Sequence, residues 1–197
     1  MKKTFLTIAL AIITTFSFAT KPHIDNVVVN ADNSTVEWIG FKVASFHEGA
    51  VNIQKGMLMI DHGTLVGGQF SIDMTSITCT DLKPEEGGDK LVGHLKNKDF
   101  FNVEKFPLAT ITITRAVKGD GNSYKILADL TIKGIKHPVT FPAKVTINGL
   151  NFSATAKIKI DRTKWGIEYK SGNFFENLGD YLIKDEIEFD VYLLSVK

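Results

Sequence analysis

The amino-acid sequence predicts an all-β fold of about eight antiparallel strands. Apolar and polar residues alternate with a period of two in one segment after another, the pattern of strands buried on one face. Asn148-Gly149, between two such runs, is a strong hairpin signal. No stretch sustains a helical period.

The chain opens with Lys2 and Lys3, followed by an uncharged run from Phe5 to Phe18 that ends in Ser17-Phe18-Ala19. This is the pattern of a secretory signal peptide, residues 1–19, with cleavage after Ala19. Its apolar core is shorter than the roughly 20 residues a transmembrane helix needs, and no second run of that length follows. Residues 20–197 are expected to form a single domain without a stable membrane anchor. The first strand, from Thr35 to Phe46, is apolar on both parities, which leaves its inward face open. Met57 to Ile60 is a short apolar run. Val66, Phe70, Ile72 and Met74 then share one parity against Gln69, Ser71, Asp73 and Thr75.

Thr80 to Lys105 interrupts the strand rhythm with Lys, Asp, Glu and Gly, and has room for a short helix between Lys90 and Phe101. Alternation resumes with Ala109, Ile111 and Ile113, then with Tyr124, Ile126, Ala128, Leu130 and Ile132. After a break from Gly134 to Pro138 come Val139, Phe141, Ala143, Val145 and Ile147. Beyond Asn148-Gly149 the inward set is Phe152, Ala154, Ala156, Ile158 and Ile160. Ile183, Ile187, Phe189, Val191 and Leu193 form the last.

Without the leader, 21 basic residues face 22 acidic ones, a net charge of −1 that favours neither nucleic acid nor an anionic surface. Cys79 is the single cysteine, so no intramolecular disulfide framework exists and a hydrophobic core must hold the fold. Eight half-apolar strands suit a two-sheet sandwich or a closed barrel equally well. Small inward residues, Gly68, Ala109, Ala128, Ala143, Ala154 and Ala156, leave room inside unless larger neighbours fill it.

Three segments in order, HLKNKDFFNVEKFPLATI, LTIKGIKHPVTFP and IDRTKWGIEY, behind a signal peptide, resemble the YceI-like family of secreted, lipocalin-like polyisoprenoid-binding proteins. The resemblance runs from STVEW at Ser34 to the terminal strand. It implies an eight-stranded antiparallel lipocalin-like barrel with a short helix or loop lid near residues 80–105. It further implies an interior that binds an isoprenoid or similar chain lipid, no catalytic activity, and a bacterial periplasmic location. One departure is CTDLKPEEGGDKLVGHL, a glycine-rich approach to His94 longer than the family's usual one.

The expected function is therefore non-catalytic binding, transport or sequestration of an apolar chain lipid such as a polyisoprenoid or isoprenoid quinone. The competing reading is a secreted interaction module with a filled core, acting through SGNFFENLG or DLKPEEGGDK. A homodimer is compatible with either. By parity, the pocket wall comprises Val66, Phe70, Ile72, Ile111, Ile113, Leu130, Phe141, Ala156, Ile158, Ile187, Phe189 and Val191, although a slipped strand would present its other face. Phe100, Phe101 and Phe106 suit an apolar lid, with Lys96, Lys98 and Lys105 solvated or near a polar head group; a simple end plug is the structural alternative.

Arg162 continues the inward parity of Ile158 and Ile160, and Asp185 falls in phase with Ile187. A buried charge needs a partner, so the two are expected to pair, with head-group binding by Arg162 as the functional alternative. Trp38 and Trp165 belong to the core or the rim, and Phe174 with Phe175 forms a second rim pair or a small partner patch. His94 either meets a head group or satisfies nearby carbonyls. His23, His47, His62, His94 and His137 show no metal-ligand spacing, so neither metal nor cofactor is expected. Cys79 lacks a nucleophile-elbow or oxyanion-loop context, which argues against an enzyme.

Overall fold

The computed structural model describes residues 23–196; the predicted leader lies outside them. Eight wall positions close into an antiparallel barrel. The strands are β1 (Ile24–Val28), β2 (Thr35–Lys42), β3 (Phe46–Asp61), β4 (Thr64–Asp73), β5 (Leu108–Lys118), β6 (Ser123–Ile132), β7 (Ile135–Asn148), β8 (Asn151–Asp161) and β9 (Ile183–Leu194). Their order is β1-β3-β2-β9-β8-β7-β6-β5-β4, and β3 also pairs with β4, which shuts the barrel. Among the described residues a single α-helix, α1 (Gly88–Lys96), interrupts the strands; it lies in the 80–105 segment and begins two residues before the expected Lys90. No helix among the described residues is long and apolar enough to cross a membrane.

The ninth strand adds no ninth position. β1 runs along the second half of β3, from Ile24↔Asp61 to Val28↔Met57, while β2 runs along the first half, from Val36↔Val51 to Phe41↔Phe46. The two share one place in the wall, joined across the 3-10 turn Ala31–Asn33. Only Val27 of β1 is buried, so this strand carries no alternation to read. On β2 the inward residues are Val36 and Trp38, which settles the parity left open above.

Bulges reset the parity within three strands. An extra residue flips every side chain beyond it to the other face. Gln54 is the extra residue of β3, since Ile53 pairs with Ile72 and Lys55 with Ser71. Val66 is that of β4, because Met59 pairs with Gly67 and Ile60 with Leu65. Thr114 plays the same part in β5. The expectation that Val66 faces inward is therefore corrected: it is 38% exposed, and Leu65, at 1%, takes the inward position.

Two hairpins close with two residues of positive φ, His62-Gly63 and Lys133-Gly134, the backbone twist that tight antiparallel turns favour. The β7–β8 turn is centred on Gly149-Leu150, one residue later than expected, with Gly149 at positive φ and Asn148 paired to Asn151. The predicted break from Gly134 to Pro138 is shorter than expected, because β7 begins at Ile135 and includes both Pro138 and Pro142. β7 tolerates them because its ladder to β8 runs only from Asn148↔Asn151 to Ala143↔Ala156. The rest of that edge needs no donors. Trp165 packs beside it, edge-on to His137 at 5.3 Å, and donates its indole N–H to the Leu130 carbonyl at 3.3 Å.

Candidate functional site

The barrel is hollow. A cavity of about 230 Å³ runs down its axis, lined by inward side chains of all the strands from β2 to β9. It exceeds the roughly 150 Å³ at which apolar cavities in proteins stay dry and accept benzene. Ala109, Ala143, Ala154 and Ala156 line it, four of the six small residues expected to leave space. The other two are covered: Leu58 and Ile113 close over Gly68, and Ala128 is buried on the inner face without reaching the cavity. Tyr124 and Phe152, inward at the lower end but outside the lining, fill that end, where the Leu65 N–H donates to the Tyr124 hydroxyl at 3.4 Å.

The upper end carries the lid. Leu91 and Leu95, one helical turn apart on α1, face the cavity together with Phe100 and Phe101. Backbone bonds knot this segment: the Phe101 N–H donates to the Leu95 carbonyl at 3.1 Å, that of Asn102 to Asn97 at 2.8 Å and that of Val103 to Lys96 at 2.9 Å. Asn102 takes the left-handed conformation, which asparagine tolerates better than most residues. Upstream, Thr78 and Thr80 donate to the Ala50 and Glu48 carbonyls, both at 2.9 Å, and the Trp38 indole donates to the Thr78 carbonyl at 3.1 Å. A Cβ on Gly49 would stand 1.9 Å from that carbonyl oxygen and 2.7 Å from the Trp38 ring. Gly49→Ala is therefore expected to destabilise the protein by about 2 kcal/mol or more, read from urea midpoints; a change within a few tenths would show that this seam is not tightly closed.

All the wall residues predicted from parity line the cavity except Val66. Of the predicted mouth residues, Trp38, Phe100, Phe101 and Arg162 also line it. The others do not. Phe106 lies outside the wall against Gly134, because the β6–β7 turn offers it a bare backbone, and Lys105 sits 5.2 Å over its ring. Trp165 is 1% exposed and serves the unpaired β7 edge rather than the rim. His94 stands behind the lid, edge-on to Phe100 at 4.9 Å and to Tyr169 at 4.6 Å, with Asp99 at 3.7 Å. Phe174 and Phe175 point away from the cavity into solvent.

Arg162 is a structural clamp. Its side chain is 1% exposed, and its guanidinium donates to the Lys184 carbonyl at 3.1 Å, to Ile167 at 2.7 Å and to Ile183 at 3.0 Å. Asp185 Oδ1 lies 3.2 Å away as the expected ionic partner, without hydrogen-bond geometry, while Asp185 Oδ2 accepts from the Asn173 amide at 2.7 Å. Burial pushes the guanidinium below its ordinary range, and Asp185 and Asp161 counter that push. With three carbonyls to serve, the fork ties the start of β9 to the turn after β8 rather than standing free for a head group.

Apart from Arg162, the polar residues of the lining are Lys42, His47, Thr155 and Lys184. The lined surface is apolar throughout, so these side chains reach it with carbon and not with their charged ends. His47 is held by Asp81, Nδ1 to Oδ2 at 2.8 Å. Asp81 also accepts from the Glu48 N–H at 3.0 Å and from the Cys79 thiol at 3.1 Å. Burial and this contact with Asp81 push the thiol upward from its ordinary value, the opposite of what a nucleophile needs. No carboxylate and no cysteine among the described residues lines the cavity. Among the described residues, no group of three or more His, Cys, Asp or Glu side chains could hold a metal ion.

Parity alone missed part of the site. Val51 and Ile53 precede the Gln54 bulge and Leu58 follows it, so no single parity of β3 names them. The four-residue spacing of Leu91 and Leu95 was a readable signal of an apolar helix face.

Comparison with known proteins agrees with this architecture. A 37% identical stretch of 92 residues is shared with the UPF0312 protein of Yersinia pestis (strain Pestoides F), covering 47% of this chain and 40% of that protein. The match thus spans less than half the length of that relative. Among solved structures, Burkholderia cenocepacia BcnA superposes with a TM-score of 0.68 at 23% identity, over 85% of this chain and 99% of that one. A polyisoprenoid binding domain from Saccharophagus degradans, described as implicated in plant cell wall breakdown, superposes with a TM-score of 0.62 at 14% identity, over 89% and 98% of the two chains. At these identities the likeness is one of fold. The family profile described as YceI-like domain matches residues 27–194, and the chain belongs to that family.

Proposed function

We propose that the barrel carries or sequesters a long apolar chain lipid, a polyisoprenoid, an isoprenoid quinone or a similar molecule, without transforming it. The observation that carries this reading is the hollow itself: a cavity lined by hydrocarbon from every strand from β2 to β9, with its charged side chains turned outward at one end. Burial of apolar surface, worth about 25 cal/mol per Å², drives such binding, less the cost of ordering the chain. The likeness in fold to a polyisoprenoid binding domain supports the ligand class. Export to a bacterial periplasm, with the first 19 residues as the leader, is part of the same proposal. No catalytic step is assigned, in keeping with a lining whose exposed surface is hydrocarbon and whose polar side chains, His47 among them, turn their polar ends away from it.

Phe101 tests the lid. Its ring is buried and faces the cavity, where contact with a bound chain is worth about 1.5–3 kcal/mol. Phe101→Ala is expected to weaken uptake of a fluorescent long-chain lipid by about tenfold or more. Unchanged affinity combined with a large fall in melting temperature would reduce Phe101 to an end plug.

A further inference from the structure

The upper end of the barrel exposes apolar side chains that neither the core nor the cavity uses. Phe46 is 52% exposed, Phe174 52%, Phe175 48% and Tyr181 71%. No other phenylalanine or tyrosine among the described residues is as open; the next, Tyr192, is 40% exposed. These four side chains come from two segments, the start of β3 beside the β2–β3 turn and the stretch from Lys170 to Leu182, which meet at one point of the rim. Lys42 pairs with Ile183, and the Ile183 N–H donates to the Lys170 carbonyl at 2.9 Å. The lower turns, His62-Gly63, Gly119 to Asn122 and Gly149-Leu150, expose no phenylalanine, tyrosine or tryptophan.

The patch is continuous with the mouth of the cavity, since Phe41, Lys42, Ile183 and Lys184 belong to the rim and to the lining alike. Lysine ammonium groups stand over its rings: Lys184 lies 5.8 Å from the centre of Phe41, and Lys170 lies 4.7 Å from that of Tyr181. Among the described residues, Lys42, Lys170 and Lys184 have no carboxylate within ion-pair distance, while Glu176 and Asp180 are the acids on the neighbouring loop. Half-exposed aromatic rings beside free lysines form the composition of side chains that settle at a bilayer surface, rings among the acyl chains and ammonium groups among the phosphates.

We propose that these two segments dock the mouth of the barrel onto a lipid bilayer, so that a chain passes between membrane and cavity without crossing water. The proposal rests on the carrier reading. A long apolar chain has negligible solubility as a free molecule, so its supplier must touch the mouth, and the surface that surrounds the mouth fits a membrane.

The test is flotation with vesicles of phosphatidylcholine containing about 30% phosphatidylglycerol, using the wild-type protein and the triple variant Phe46→Ser, Phe174→Ser, Phe175→Ser. None of the three side chains lines the cavity. The wild type is expected to float with the vesicles and the variant to lose at least about fivefold of that binding, while both take up a soluble fluorescent fatty acid equally in the absence of vesicles. Equal flotation of the two proteins, or none by either, overturns the docking proposal. So does a concentration-dependent dimer that the triple variant abolishes, because a second copy would then be what covers the patch. Failure of the wild type to take up the soluble fatty acid would count against the carrier reading instead.

Discussion

Ala156→Phe is expected to abolish lipid uptake while leaving the barrel folded. Ala156 sits on β8 directly opposite Ala143 of β7, and both methyl groups face the cavity. A phenyl ring there occupies the space that a bound chain would take, in a hollow of about 230 Å³. Overpacking a filled core costs about 1–3 kcal/mol, but a ring that enters a void displaces nothing and adds contacts of its own. Affinity for a long-chain probe should therefore fall by well over tenfold, with a melting temperature within a few degrees of the wild type or above it. A large loss of stability would mean that the side chains close this space in solution; undiminished uptake would place the ligand elsewhere. Val66→Phe, on the outer face, is the matching control and should leave uptake unchanged.

Arg162→Leu carries the largest expected loss of stability, about 3–5 kcal/mol by urea unfolding, the range seen when one member of a buried ion pair is removed. The change leaves Asp185 Oδ1 buried without its cation and takes hydrogen bonds from the carbonyls of Ile167, Ile183 and Lys184. Lysine should rescue little, since one ammonium cannot reproduce three donors held in a plane. Asp185→Asn should cost less, about 1 kcal/mol, because the three carbonyl bonds of Arg162 remain. A head-group role for Arg162 predicts the reverse ordering: a large loss of affinity with little loss of stability.

The strands that could be read from alternation are those without bulges inside their apolar runs. β6 and β8 place every predicted inward residue on the inner side because nothing interrupts their phase, and β9 does so too because its irregularity against β2, between Ile187 and Ile183, adds two residues and so restores the phase. β3 and β4 could not be read to the end, since Gln54 and Val66 look like any other residue in sequence and become bulges only through their partners. The mouth was the least legible part. A charged segment with three phenylalanines told that some rings would be covered, yet Phe106 found its cover on Gly134, a contact between chain segments 28 residues apart. Trp165 likewise answers to the unpaired edge of β7, which follows from Pro138 and Pro142 lacking donors where β8 would need them. Arg162 and Asp185 were legible as a pair because an inward charge has few acceptable fates. The three carbonyls that occupy the guanidinium belong to a turn geometry that no periodicity encodes.

Native mass spectrometry of the protein isolated from its own cells, before and after organic extraction, reads the content of the barrel directly. A carrier should arrive with an added mass of one chain lipid that extraction removes and that identifies as an isoprenoid-type molecule. A polypeptide of bare mass, unchanged by extraction and unable to take up such a lipid afterwards, would contradict the account.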